Sequence, residues 1–112
     1  MKKMVYIASP YSGDEQNRFE KVRDYVAQVM LKGEVIPFSP IVHCHDIAHV
    51  HNLPRTHNFW IEMGFGYLVR CDELWILTLP GWCASQGVKC ETMFAHKHRI
   101  PVKYKGVDDV TE

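Results

Sequence analysis

The chain has 112 residues, enough to bury one hydrophobic core but too few for two. Thirteen basic and 13 acidic residues leave a net charge of zero, so no cationic footprint for nucleic acid or anionic membrane is present. Nothing in the chain is a continuous apolar run of bilayer-spanning length, and the five apolar residues Met4 to Ala8 are too few for an export signal. The expectation is a single cytoplasmic domain over 1–112, whose four cysteines (Cys44, Cys71, Cys83, Cys90) stay reduced as small apolar fillers.

Met4 to Ala8, "MVYIA", reads as a strand buried on both faces and stopped by Ser9-Pro10. Ser12-x-x-Glu15 has the spacing of a capping box, and Phe19, Val22, Val26, Val29 and Met30 follow at helical intervals up to Gly33. "EVIPFSP" predicts a second strand, placed at a sheet edge by Pro37. From Ile41 to Asn58 no clean period emerges, and five of the seven histidines fall there; the expectation is a long loop, with at most a short helix. "NFWIEMGFGYLVR" reads as a helix weakened by two glycines, and "DELWILTLP" as the strongest strand. A helix starting at Gly87 follows, then the strand "IPVKY" and a polar tail from Gly106 expected to fray. Strands alternating with helices predict an α/β fold, a small flavodoxin-like or Rossmann-like three-layer sandwich with a parallel sheet.

Such a sheet binds ligands outside the carboxyl ends of its strands, which here are the loops Ser9–Gly13, the segment after Ser39, and Pro80–Gly87. On the last helix Val88, Cys90, Met93, Phe94 and Ala95 form an apolar arc at about 100° per residue, and Glu91 lies inside that arc. A carboxylate there needs a hydrogen bond, a shifted pKa or a cavity. Ser85-x-Gly87 at the helix start, with Glu91 one turn on, suits an anion beside a reacting carbon. The competing reading makes Ser85 an ordinary N-cap and Glu91 a partly exposed residue.

The blocks "VYIASPYSG", "FSPI", "CDELWILTLPGW" and "SQGVKCE", in that order from Met4 to about Tyr104, are similar to the nucleoside 2-deoxyribosyltransferase-like superfamily. That superfamily includes the 2′-deoxynucleoside 5′-monophosphate N-glycosidases, and the pattern resembles a bacterial and phage branch of it. The resemblance implies that Glu91 attacks C1′ of a deoxyribose and that Tyr6 contacts this glutamate. It also implies a substrate and phosphate cradle of Ser85 and Gly87 with Ser9, Pro10, Tyr11, Ser12 and Gly13 of the first loop. Cleavage of an N-glycosidic bond passes through an oxocarbenium-like state that a carboxylate stabilises or traps.

Two positions depart from that pattern. The aspartate usual eight residues before Asp72 is replaced by Gly64, so Glu62, Asp46 or a loop histidine would have to protonate the leaving base. The first-loop arginine is absent from "YSGD", with Arg18 one turn into the helix as its substitute. His43, after "FSPIV", stands nearest the expected base pocket. His43, His45, His49 and His51 form H-x-H-x₃-H-x-H, a possible zinc pattern joined by His57, against which stands a polar loop lining that pocket. Asp72 reads as structural, Trp75 as core, and Trp82 as a residue able to stack on a base.

The expected activity is hydrolysis or transfer at the base–deoxyribose bond of a deoxynucleoside or its 5′-monophosphate. It needs no metal or organic cofactor. Expected partners are the small-molecule nucleoside or nucleotide and further copies in a homo-oligomer. The alternative is a nucleotide-binding or sensing module of the same fold that does not cleave its ligand.

Overall fold

The computed structural model describes all 112 residues. Its elements are β1 (Met4–Ala8), α1 (Glu15–Lys32), β2 (Ile36–Phe38), α2 (Pro40–Val50), α3 (His57–Leu68), β3 (Glu73–Leu77), α4 (Gln86–Lys97) and β4 (Val102–Lys105), with a short 3₁₀ turn at Trp82–Ala84. The four strands are all parallel in the order β2-β1-β3-β4. Chain order reverses between β1 and β3, the place where such sheets open a crevice for ligands. Pro37 lies on the edge strand, where a missing N–H costs least.

The alternation of side chains along β1 and β3 divides the core in two. Val5, Ile7, Trp75 and Leu77 face α1 and meet Val22, Tyr25, Val26 and Val29. Tyr6, Ala8, Leu74 and Ile76 face the other way, toward Leu68 of α3 and Val88 and Ala95 of α4. Tyr6 is paired with Leu74, so its ring points at the α3–α4 layer with 1% of its surface exposed. Asp72 ties the strand starts together, its carboxylate accepting from the Met4 N–H at 2.8 Å, a structural role.

Three expectations are corrected. The segment from Ile41 to Asn58 is not a long loop: α2 occupies its first part and α3 begins at His57, leaving a connection of six residues, 51–56. Ser39 caps α2, accepting from the Val42 N–H at 3.3 Å, and Pro40 takes the first helical position. No residue of α2 is buried, so it has no apolar stripe for periodicity to detect. The capping box at Ser12 does not form; α1 starts two residues later, with Asp14 at its N-cap and no side-chain cap bond. Gly33, by contrast, closes α1 as expected, at φ 74° with its N–H bonded to the Val29 carbonyl.

The tail is the third correction, since it does not fray. The Tyr25 hydroxyl donates to the Asp109 carbonyl at 2.7 Å, Lys105 donates to the Thr111 carbonyl at 2.6 Å, and Val110 packs on the α1-side core. Tyr25→Phe should therefore destabilise the domain by about 1 kcal/mol, a fall of several degrees in Tm. Calorimetry checks this; an unchanged Tm would show that the tail adds nothing to the fold.

Candidate functional site

A cavity of about 510 Å³ opens at the carboxyl ends of β1 and β3, within the size range of small-molecule sites. The β1 loop, α2, α3 and the start of α4 wall it in. Of the residues singled out by sequence, Tyr6, Ser9, Tyr11, Ser12, Arg18, Ser85, Gly87 and Glu91 all line it. Pro10, Gly13 and His43 do not. Pro10 is buried behind the loop, and Gly13 is an exposed turn residue at φ 97°. His43 turns back on its own helix start, its Nδ1 2.7 Å from the Ser39 carbonyl and its ring 4.6 Å from Phe38.

α4 positions the central carboxylate. Ser85 caps the helix, accepting from the Val88 N–H at 3.2 Å. That bond, and the Lys89 N–H on the Ser85 carbonyl at 3.1 Å, leave the Gln86 and Gly87 N–H groups without intrahelical acceptors. The buried stripe of α4 is narrower than expected: Val88, Glu91 and Ala95 are its buried residues, while Met93 is exposed. Glu91 is thus the middle of the stripe and 7% exposed, not the partly solvated residue of the competing reading. Burial raises its pKa to about 7, opposed by a hydrogen-bonding interaction with Tyr6. Burial, and then the adjacent Glu91 charge, push the Tyr6 hydroxyl well above the usual phenol range, so it stays a donor.

Gly64 explains the missing aspartate. A Cβ built on Gly64 would lie 2.8 Å from the Tyr6 hydroxyl oxygen, closer than any real contact. The α3 backbone can approach Tyr6 because this residue has no side chain. A carboxylate at this position is sterically excluded while Tyr6 points at Glu91. Glu62 and Asp46, the other carboxylates considered for that role, lie outside the cavity lining.

Across the cavity stands a polar group whose arrangement the sequence reading missed, although it named Tyr11 and offered a polar histidine lining of the pocket. Tyr11 and Nδ1 of His45 are hydrogen-bonded at 2.6 Å, and the His45 ring stacks on Phe19 at 3.9 Å. Burial, followed by the neighbouring His49, lowers the His45 pKa. Arg55 donates to Glu15 at 2.7 Å, and His49 Nε2 stands 3.8 Å from the same oxygen. These residues line the cavity, together with His57 and Trp60. The sequence signal that could have found them was Ser39-Pro40, a helix start that places His45 and His49 on one face at i, i+4.

Arg18 lines the cavity, but its guanidinium is occupied by two carbonyls, Ser12 at 2.5 Å and Pro80 at 3.2 Å. Ser9 Oγ is buried with no hydrogen-bond partner, and it borders the cavity. Trp82 packs on Tyr104 and the α4-side core instead of lining the cavity. The four-histidine pattern does not converge: no three or more His, Cys, Asp or Glu side chains are grouped to hold a metal ion. No helix is long and apolar enough to cross a membrane.

Two variants test this geometry. The folded pKa of Glu91 lies above its ordinary value of 4.5, so its contribution is full below that pH and is lost as pH rises through about 7. Glu91→Gln should equal the wild type in stability at pH 4 and exceed it at pH 9 by on the order of 3 kcal/mol; urea titrations at both pH values measure this, and parallel curves would refute a buried charge. Gly64→Ala should destabilise by about 2 kcal/mol through overpacking against Tyr6, whereas a neutral result would show Tyr6 free to move.

No curated protein matches this sequence. Residues 3–105 match a family described as a domain of unknown function (DUF7768), which covers nearly the whole chain, and the protein belongs to that family.

Proposed function

We propose that the protein cleaves the N-glycosidic bond of a deoxynucleoside or deoxynucleoside 5′-monophosphate, as a hydrolase or a transferase, with Glu91 as nucleophile. The observation that carries this reading is the Glu91 carboxylate. It is buried in a cavity wall, held beside the Tyr6 hydroxyl, and set one turn beyond a helix start with free N–H groups. A buried carboxylate with a raised pKa is costly for stability and belongs to the kind of group found at reactive centres. Near a sugar it stabilises positive charge growing at C1′ and can bond to that carbon. Tyr6 orients the attacking oxygen.

The phosphate of a monophosphate substrate would sit at Gln86 and Gly87, where the free N–H groups and the positive end of α4 favour an anion. The Ser85 hydroxyl accepts from Val88 and keeps its own proton to donate there. Ser9 Oγ, buried without a partner on the cavity's edge, supplies another donor. Unpaired cysteines fit a cytoplasmic setting and the resemblance adds a homo-oligomer, for which exposed Phe59, Met63 and Tyr67 on α3 give a second copy an apolar surface to cover.

A second reading is favoured by Gly64: without an acid at that position, the domain would bind a nucleotide and not cleave it. Release of free base from a panel of deoxynucleosides and their monophosphates, followed by chromatography, separates the two. On the catalytic reading kcat/KM rises with pH through about 7 as Glu91 ionises. Glu91→Gln abolishes release while the fold persists. Ser85→Ala weakens monophosphates more than nucleosides. Absence of base release from every substrate, with tight binding retained, would favour the binding module.

A further inference from the structure

Departure of an unmodified base from C1′ leaves negative charge on a ring nitrogen, so a glycosidase of this type gains from an acid placed over the base. The structure removes the three donors that sequence suggests. Glu62 and Asp46 are outside the cavity, and His43 is turned away onto Ser39. Gly64 itself has no room for a side chain.

Besides Glu91, the cavity is lined by one carboxylate and three histidines: Glu15, His45, His49 and His57. Glu15 is held by Arg55 at 2.7 Å, which keeps it an acceptor. His45 is fixed at Nδ1 by Tyr11, stacked on Phe19 and shifted toward its neutral form. His49 uses Nδ1 on the His45 carbonyl at 2.8 Å and turns Nε2 toward Glu15. His57 differs from all of these. Its single polar contact is Nε2 with Cys90 Sγ at 3.5 Å, which leaves Nδ1 uncommitted. It also stands on the same stripe of α3 as Gly64: His57, Trp60, Ile61, Gly64 and Tyr67 all line the cavity at helical spacing. Seven residues put His57 two turns, roughly 10 Å, from Gly64 along that stripe. Cys90 belongs to α4 and directly precedes Glu91, so one contact ties the histidine to the helix that carries the nucleophile.

We infer that His57 is the proton donor to the leaving base, with Cys90 as its positioning residue. This rests on the reading of Glu91 as nucleophile. As the C1′–N bond breaks, its electron pair passes to the base, the Nδ1 proton of the His57 imidazolium moves to the base nitrogen, and a Glu91 oxygen bonds to C1′. Cys90 Sγ accepts from Nε2–H throughout and keeps the ring in place. In the second half, water bonds to C1′, the bond to Glu91 breaks, and the water's proton returns to Nδ1. Atoms and charge balance without a further reactant.

The test compares a purine deoxynucleoside 5′-monophosphate with its N7-methylated counterpart, whose cationic base leaves uncharged and needs no proton. His57→Gln should lose roughly 100-fold or more on the unmodified substrate but only a few-fold on the methylated one. Cys90→Ala should show the same selective loss, smaller in size. Glu91→Gln should lose both. Equal loss on both substrates, or no loss, in His57→Gln overturns the assignment of His57 while leaving Glu91 standing. Activity on both substrates in Glu91→Gln, or on neither in the wild type, overturns the glycosidase reading and this one with it. His57→Asn, checked for its Tm, gives the same comparison if the glutamine variant fails to fold.

Discussion

The approach of the α3 backbone to the Tyr6 hydroxyl sets most of what surrounds it. Because residue 64 is a glycine, helix and strand close to a separation no side chain allows, and the tyrosine is held upright toward α4. The carboxylate beside it lies between Val88 and Ala95 on the buried stripe of α4 and is 7% exposed. A side chain at residue 64 would strike that hydroxyl, while burial raises the Glu91 pKa to about 7.

Two glutamates of this protein show how far environment decides the role of one residue type. Glu73 and Glu91 are both buried. Burial alone would raise Glu73, yet the Trp75 indole N–H, Lys3 and Lys103 all donate to it and hold its pKa at about 2. It stays a permanent anion that stitches strand edges together. Glu91 has only a hydroxyl for company and is poised near neutrality. Opposite displacements of like groups separate a permanently charged carboxylate from one poised near neutrality.

The parts of this fold that bury an apolar face were legible in the sequence. β1, β3, α1 and α4 each present runs or stripes that water would punish, and so did the anomaly of Glu91 among them. α2 was not, because none of its residues is fully buried and His45 and His49 look into a cavity, where polar residues carry no period. Its start was written in Ser39-Pro40, a local signal outweighed by the polar run after it. The tail misled for a related reason: Asp109 and Thr111 are held through backbone carbonyls, and these have no side-chain signature. Spacing and the family resemblance together named eight residues that line the cavity, but neither could say that His43 would fold back on its own cap or that Gly64 would touch Tyr6.

Arg18 joins the loops that follow β1 and β3 by holding the Ser12 and Pro80 carbonyls with one planar group. The sheet-side end of the cavity is consequently bridged by one side chain that holds both loops to α1. Opposite it, the 51–56 connection is fastened to α1 by the Arg55–Glu15 pair, which lies in solvent and is worth at most about 1 kcal/mol. Both margins of the cavity are therefore anchored on α1, one through Arg18 and the other through Glu15, so the first turn of that helix, and not its buried stripe, is where the two sides meet.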